Sequence, residues 1–321
     1  LLSIGTDLTA AGVVEGPSNR PVISGDGKFV IFTSFAVDML VDDPAIIDTN
    51  GFGGDLYRAS VDGGPVTRIN VDGTGSGTGF TSGTTFDFST NLSGGLVAFV
   101  TSNNGLVSDA TGSVDDTGGF DVFVGGGNSP VELVSINSAG ENSGNDNSRE
   151  PLLSRNGRHV AFFSRATDLV DGVSDENSAE DLFVRDLKTG ITTLVSRSRE
   201  VAGLVAADGP TPPSPLLDSD VSAGPVMSDD GRFVAFRSLA GDLLDPSLGV
   251  TDGDAFSDIF VLDRDSDVDG IFDEPAATEM ILVSVNAAGT AVGVHTDVGI
   301  GTAGSTGPSI SSNGRYVTFA S

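Results

Sequence analysis

Apolar and polar residues alternate in short runs along the chain, and these runs are rich in Val, Ile and Phe. Alternation with a period of two is typical of β-strands that bury one face, and Gly, Asp or Asn bounds most of the runs. No stretch combines helical periodicity with helix caps. The pattern therefore predicts an all-β chain that is almost without helix.

The runs recur in a fixed order, which divides the chain into modules of four strands, named a to d. In the first module we predict strands at 22–24, 29–34, 56–59 and 66–71. The phrase covering strands a and b returns at 86–102, 151–164, 225–238 and 308–321. Gly94-Gly95 separates a from b in the second copy. The other copies use dipeptides that tolerate positive φ in tight hairpins: Asp26-Gly27, Asn156-Gly157, Asp230-Gly231 and Asn313-Gly314.

Four-stranded modules spaced by about 65–75 residues are what a β-propeller requires, each module forming one blade around a central channel. The whole chain, 1–321, is predicted to be a single β-propeller domain. Its blades are placed at about 20–71, 84–137, 149–198 and 224–287, with a partial blade at 307–321 plus an N-terminal strand at 1–5. The core is expected to include one repeated aromatic position: Phe32, Phe99, Phe162, Phe236 and Phe319.

The strand count predicts an open array. Five b strands and five d strands are recognisable, but only four c strands. A blade formed by both chain ends would lack the strand between b and d, and paired strands must lie about 4.8 Å apart. We therefore expect a fragment of a larger propeller of about six to eight blades. The alternative is a self-contained ring with one three-stranded blade.

The wording of the repeats resembles one propeller family. The segments that begin at Ser24, Ser228 and Ser311 read Ser-x-(Asp/Asn)-Gly-(Lys/Arg)-(Phe/Tyr)-Val. An Asp-(Val/Ile/Leu)-Phe-Val strand occurs in the second, third and fourth modules, at 121–124, 181–184 and 258–261. This is similar to the repeat of TolB-like (WD-repeat-like) β-propellers, and the resemblance covers nearly the whole chain. It implies the fold, while the functions found on this fold range from binding proteins to peptidase-attached domains and lyases.

Charge and composition exclude some partners. The chain carries 16 Lys and Arg against 45 Asp and Glu, a net charge of −29. Such a surface repels nucleic acid and anionic membranes, so neither nucleic-acid binding nor direct membrane insertion is expected. The chain has no Cys, which removes disulfides and thiol chemistry. Abundant Asp, Gly, Ser, Thr and Asn favour an exported bacterial protein, extracellular, cell-surface or periplasmic; an acidic cytosolic chain is the alternative.

Strand order predicts which face carries function. In an up-and-down blade the b–c and d–a connections share one rim, and the a–b and c–d turns share the other. The b–c connections at 37–54, 167–180 and 241–257 are long and acidic, and the d–a connections at 199–224 and 287–307 are long as well. Variable loops on a rigid scaffold often carry binding sites. We expect a protein, peptide or glycan ligand on this rim.

The sharpest motif lies between strands c and d of the fourth module. Asp265, Asp267 and Asp269 alternate and are followed by Gly270. Oxygen ligands at alternate positions before a glycine are how a loop wraps a hard divalent cation. The segment resembles the calcium loop of EF-hand and dockerin-type proteins, which implies ligands from the Ile271 carbonyl and Asp273. Ala276 replaces the bidentate Glu of that pattern, and Glu274 or Asp263 could substitute. A solvated acidic hairpin tip is the alternative.

One acidic residue recurs before every complete c strand: Asp55, Asp121, Asp181 and Asp258. A residue present in all modules is expected to cap the b–c loop by accepting backbone N–H bonds. The functional alternative is that Asp48 with Asp55, Asp252 with Asp258, or Asp115-Asp116 near Asp121 forms a further cation site.

Catalytic groups are scarce. The two histidines, His159 in a b strand and His295 in a Gly-rich loop, lie at unrelated repeat positions. His159 takes the place of Phe or Tyr in other copies, which predicts a structural role. No nucleophile-His-acid triad follows from these positions. We expect a non-catalytic binding or scaffold module with structural Ca²⁺; the alternative is the propeller part of a secreted hydrolase or polysaccharide-active enzyme.

Overall fold

The computed structural model describes part of the chain, and this part forms two compact units, residues 1–157 and 158–321. The described residues are 17–35, 54–64, 66–70, 87–102, 106–109, 112–113, 119–126, 129–175, 179–199, 205–207, 224–250, 252, 256–274, 276–289, 291–292 and 304–321. The predicted N-terminal strand at 1–5 lies outside them.

The first unit contains two complete sheets. The strands are β1 Ser18–Ile23, β2 Phe29–Ser34, β3 Asp55–Ser60, β4 Thr67–Arg68, β5 Phe88–Thr90, β6 Val97–Thr101, β7 Ser108–Asp109, β8 Gly112–Ser113, β9 Asp121–Gly126, β10 Ser129–Leu133 and β11 Ser148–Leu153. Strands β1-β2-β3-β4 form one sheet and β5-β6-β9-β10 the other, each antiparallel and up-and-down. The pair β7-β8 is a small hairpin within a b–c connection.

The second unit repeats the same plan. Its strands are β12 His159–Ser164, β13 Asp181–Asp186, β14 Ile191–Leu194, β15 Val226–Met227, β16 Phe233–Ser238, β17 Asp258–Asp263, β18 Glu279–Leu282, β19 Thr306–Ile310 and β20 Val317–Ala320. Strands β12, β13 and β14 pair in that order, β15-β16-β17-β18 form a four-stranded sheet, and β19 pairs with β20. In the described residues the helical structure is one 3₁₀ turn, Pro246–Leu248.

The repeated register explains the repeated sequence. Strands b and c pair residue for residue, so that the third or fourth residue of each b strand faces an aromatic residue of strand c. The stacked pairs have ring centroids 5.9–6.0 Å apart: Phe32–Tyr57, Phe99–Phe123, Phe162–Phe183 and Phe236–Phe260. All of these rings are buried, whereas Phe319 is half-buried. The predicted all-β fold of four-stranded antiparallel propeller blades is confirmed.

The a–b turn glycines serve two purposes. Gly231 and Gly314 have φ of +83° and +71°, a region that residues with a Cβ rarely adopt. A Cβ on Gly231 would also overlap the ring of His159, and one on Gly314 would overlap Phe233. His159 and Phe233 both open a b strand of the preceding module. The turn glycine therefore lets one module approach the ring of its neighbour closely.

Candidate metal site and loop-bearing rim

The acidic segment of the fourth module is held at its start by a half-buried ion pair. Arg232, just before β16, donates two hydrogen bonds of 2.7 Å from its Nε and Nη2 to the carboxylate of Asp263, the last residue of β17. The same carboxylate accepts the backbone N–H of Asp265 at 3.0 Å. The chain thus leaves the sheet in a fixed direction where the acidic loop begins.

Three predicted ligands come together at the loop tip. The carboxylate oxygens of Asp265, Asp267 and Asp269 lie within 4.8 Å of one another. Asp265 is buried, and its Oδ1 accepts the backbone N–H of Asp269 at 3.0 Å. Asp269 in turn accepts the backbone N–H of Ile271 at 2.8 Å. These hydrogen bonds curl the backbone so that one buried and two exposed carboxylates face a common point.

The loop backbone is strained at the same place. Gly270 has φ of +87°, which glycine adopts without cost, but Val268 has φ of +63°. For a β-branched residue this conformation is an outlier that costs on the order of 1–3 kcal/mol. Val268 is also 68 % exposed, so packing contributes little to offset that cost. The loop conformation is therefore imposed by its ends and by the polar contacts of its carboxylates.

The remaining predicted ligands differ in their surroundings. The pKa of Glu274 is raised by desolvation and by the negative charges of Asp269, Asp267 and Asp265. The carboxylate of Asp273 accepts hydrogen bonds from Arg264 and, at 3.1 Å, from the Oγ1 of Thr193. The ligand role of Asp273, Glu274 and the Ile271 carbonyl stays a prediction.

The b–c and d–a connections of the second unit meet, as the strand order predicts. Ser174 of one b–c connection forms a parallel bridge with Val205 of the following d–a connection. The backbone N–H of Arg199 donates to the carbonyl of Asp242 at 2.9 Å, which joins that d–a connection to the next b–c connection. Ser305 donates likewise to Ser257 at 2.7 Å. Where they are described, these connections form one continuous loop-bearing rim.

The repeated acid is the first residue of each c strand, and it is buried in all four modules. Its carboxylate accepts a hydrogen bond from a Ser or Asn two residues after strand d, a partner that the sequence analysis did not name: Asn70 to Asp55, Ser135 to Asp121, Ser196 to Asp181 and Ser284 to Asp258. The Ser Oγ or Asn Oδ1 also accepts the backbone N–H of the second residue of strand c. The contacts are those of a structural link between strands c and d.

Asp181 differs from Asp55 in its neutralisation. In the first module Arg68 forms a buried ion pair with Asp55. In the third module Leu194 occupies the position of Arg68, two residues before the Ser or Asn partner. Burial raises the pKa of Asp181 to about 7; its hydrogen bond from Ser196 opposes this, and the charges of Asp175 and Asp242 add to it. Within the part of the chain that the structure describes, the charges that act on Asp181 are therefore negative ones from the rim.

His159 has structural surroundings. Its ring is 1 % exposed and stacks on Phe272 with centroids 5.2 Å apart. Burial and the neighbouring Arg264 lower the pKa of His159 to about 4, although Asp186 lies 4.0 Å from its Nε2. The ring is therefore neutral at pH 7. His295, Asp48, Asp115 and Asp116 lie outside the described residues, so the further cation sites that involve them stay predictions.

The sequence matches no protein-family model and no curated protein. The structure is similar to TolB from Acinetobacter baumannii, with 15 % identity and a TM-score of 0.40 over 84 % of this chain and 43 % of that one. It is also similar to a putative TolB from Agrobacterium tumefaciens, with 15 % identity and a TM-score of 0.41 over 95 % and 69 %. The β-propeller domain of the Trilobed protease from Pyrococcus furiosus gives 8 % identity and a TM-score of 0.37 over 77 % and 54 %.

This chain thus spans less than half the length of the Acinetobacter TolB. The described residues contain no helix that is long and apolar enough to cross a membrane.

Proposed function

We propose that this chain is a non-catalytic β-propeller module that binds a protein, peptide or glycan, acts outside the cytoplasm, and uses Ca²⁺ to stabilise the loop at 265–274. The observation that carries the calcium proposal is the convergence of the Asp265, Asp267 and Asp269 carboxylates to within 4.8 Å. Like charges at such distances repel, and a divalent cation converts this repulsion into attraction.

The ligand chemistry favours calcium. Ca²⁺ takes six to eight oxygen ligands at about 2.3–2.6 Å in flexible geometry, whereas Mg²⁺ demands a near-ideal octahedron. Three aspartates, Glu274 and the Ile271 carbonyl offer oxygen ligands from one short loop, and Asp273 is the sixth predicted ligand residue. Zn²⁺ prefers nitrogen and sulfur ligands, which the sequence of this loop does not contain.

Calorimetric titration with CaCl₂ tests the metal site. We expect one site in the wild type and loss of that uptake in Asp267→Ala/Asp269→Ala. Calcium should raise the Tm of the wild type, and a chelator should reverse the gain, because a ligand that binds only the native state stabilises it. Asp62→Asn removes an acid from another c–d turn and serves as the charge control. Equal calcium uptake by wild type and double variant would reject the loop as the site.

The loop-bearing rim is the proposed ligand surface. Its b–c and d–a connections are joined by backbone hydrogen bonds, and they carry acidic and hydroxyl residues on a sheet scaffold. A panel of glycans and of basic, acidic and neutral peptides can be screened on the immobilised chain. We expect a ligand whose binding falls in Asp175→Asn or Asp242→Asn, on the rim, and is unchanged in Lys188→Ala, in a c–d turn. A ligand insensitive to both rim variants would place the binding surface elsewhere.

A further inference from the structure

The acidic loop of the fourth module reaches the third module through its returning arm. Two consecutive residues, Phe272 and Asp273, follow the carboxylate cluster by three and four positions. Phe272 stacks on His159 of β12, and Asp273 accepts a hydrogen bond from Thr193 of β14. The equivalent c–d connection of the third module is only four residues long, 187–190, and carries no such arm.

Two arginine side chains contact this arm. The guanidinium groups of Arg264 and Arg158 lie 5.2 Å and 5.9 Å from the centre of the Phe272 ring. Arg264 is 1 % exposed; it pairs with the carboxylate of Asp273 and donates from Nη1 to the carbonyl of Gly231 at 2.7 Å. The backbone N–H of Asp273 also donates to the carbonyl of Arg264 at 2.8 Å. The arm is therefore a specific contact between modules.

The tip and the arm share one stretch of backbone. Only Gly270 and Ile271 separate Asp269 from Phe272, and Asp273 itself has φ of +66°. The strain at Val268 and the repulsion among the carboxylates both oppose this conformation. A cation at the tip would remove the repulsion, and the conformation that it favours is the one that seats Phe272 against His159.

We propose that the loop is a cation-dependent strap: Ca²⁺ at Asp265, Asp267 and Asp269 tightens the seating of Phe272 and Asp273 on the third module. The strap rests on the calcium site proposed above. Because coupling between two sites is reciprocal, Phe272 must contribute to calcium affinity although its side chain supplies no ligand. The metal then acts on the packing of neighbouring modules, beyond the loop that holds it.

Hydrogen exchange of the whole chain, with and without CaCl₂, tests the strap. We expect calcium to slow exchange in peptides from β12 and β14 as well as in the loop, and to leave the β19–β20 hairpin unchanged. In Phe272→Ala the loop should still gain protection, β12 and β14 should not, and the calcium Kd should weaken about tenfold. Ile271→Ala is the matched control, since this side chain is 56 % exposed, and should behave as the wild type.

Two further variants keep the test decisive. His159→Phe introduces phenylalanine, which the first and fourth modules carry at this repeat position as Phe29 and Phe233. This variant should retain the coupling because a ring still stacks on Phe272. If Phe272→Ala fails to fold, Thr193→Val removes only the hydroxyl that contacts Asp273 and should reduce the transmitted protection. Calcium binding with protection confined to 265–277 would overturn the strap and leave the calcium site standing. Absence of calcium binding would overturn both.

Discussion

The third and fourth modules share an arginine–aspartate pair at the end of strand c, but their connections to strand d differ. Arg158 pairs with Asp186 at the end of β13 as Arg232 pairs with Asp263 at the end of β17. In both, the aspartate also accepts the backbone N–H two residues later. The third module then closes with a four-residue turn, whereas the fourth extends into the acidic loop.

The difference shows where this repeat tolerates new chemistry. The arginine–aspartate pair fixes the exit of the chain from the sheet, so the connection beyond it can change without disturbing strand pairing. In the third module Gly190 accommodates the turn with φ of +72°. In the fourth module Val268 and Asp273 adopt the same region of φ at an energetic cost. We attribute that cost to the requirement of bringing carboxylates together.

The largest expected effect on stability comes from removing the aspartate of the arginine–aspartate pair. Asp263→Ala leaves Arg232 without its carboxylate and removes the acceptor for Asp265 N–H. Breaking a fully buried pair costs about 3–5 kcal/mol, which is the upper limit here because the Arg232 side chain is 19 % exposed. Asp186→Ala should cost less, because Arg158 is 37 % exposed and Arg232 only 19 %. Urea unfolding of both variants measures the free energies. Equal losses of unfolding free energy would show that burial does not distinguish the two arginine–aspartate pairs.

Most of the strands and hairpin turns were predictable from the sequence, since the strands of a repeat must bury the same face in each copy. The b strand at 29–34 and the Asp-Gly and Asn-Gly turns lie where the pattern places them. Strand a begins earlier than predicted, at Ser18, because a bulge between Asn19 and Val22 continues the pairing. Arg20, with φ of +51°, sits in that bulge. Its conformation depends on the partner strand, which no local pattern encodes.

The second effect is the pH dependence of stability, which has opposite signs for the aspartates at the two ends of β13. The pKa of Asp181 is raised to about 7 in the fold, above its usual 3.8, so its stabilising contribution is complete below pH 3.8 and is lost as the pH rises towards 7. Asp186 behaves in the opposite sense, because Arg158 keeps its pKa well below the usual range.

Asp181→Asn should therefore flatten the fall in stability between pH 4 and 7, by at most about 4 kcal/mol. Unfolding free energies of wild type and variant across this pH range give the comparison. A constant difference between the two curves would mean that Asp181 does not titrate there.

The smallest expected effect contrasts two turn glycines. Gly190→Ala meets open space, with its nearest neighbour an Arg185 nitrogen at 3.6 Å, so only the backbone strain of about 1 kcal/mol applies. Gly231→Ala adds an overlap with His159 and should lose about 2 kcal/mol or more. Thermal unfolding of both variants, with His159→Ala/Gly231→Ala to relieve the overlap, tests this. Identical Tm losses in the two single variants would contradict close packing at Gly231.

The candidate site was predictable only in part. The alternation of Asp265, Asp267 and Asp269 before Gly270 is visible in one short segment, so the convergence of their carboxylates follows from local sequence. The partners of Asp273 are not local: Thr193 lies eighty positions earlier. Likewise, the raised pKa of Asp181 depends on its burial and on the charges of Asp175 and Asp242, which come from two different connections. Such contacts arise from the packing of modules, which spacing within one module does not encode.

The most direct test of the central claim is a crystal structure of the chain grown with CaCl₂, with anomalous difference maps that locate the cation. The account predicts a peak at the loop tip with oxygens of Asp265, Asp267 and Asp269 at about 2.3–2.6 Å, and no peak there in Asp267→Ala/Asp269→Ala. An empty loop tip in wild-type crystals at saturating calcium, or a peak only elsewhere, would contradict it.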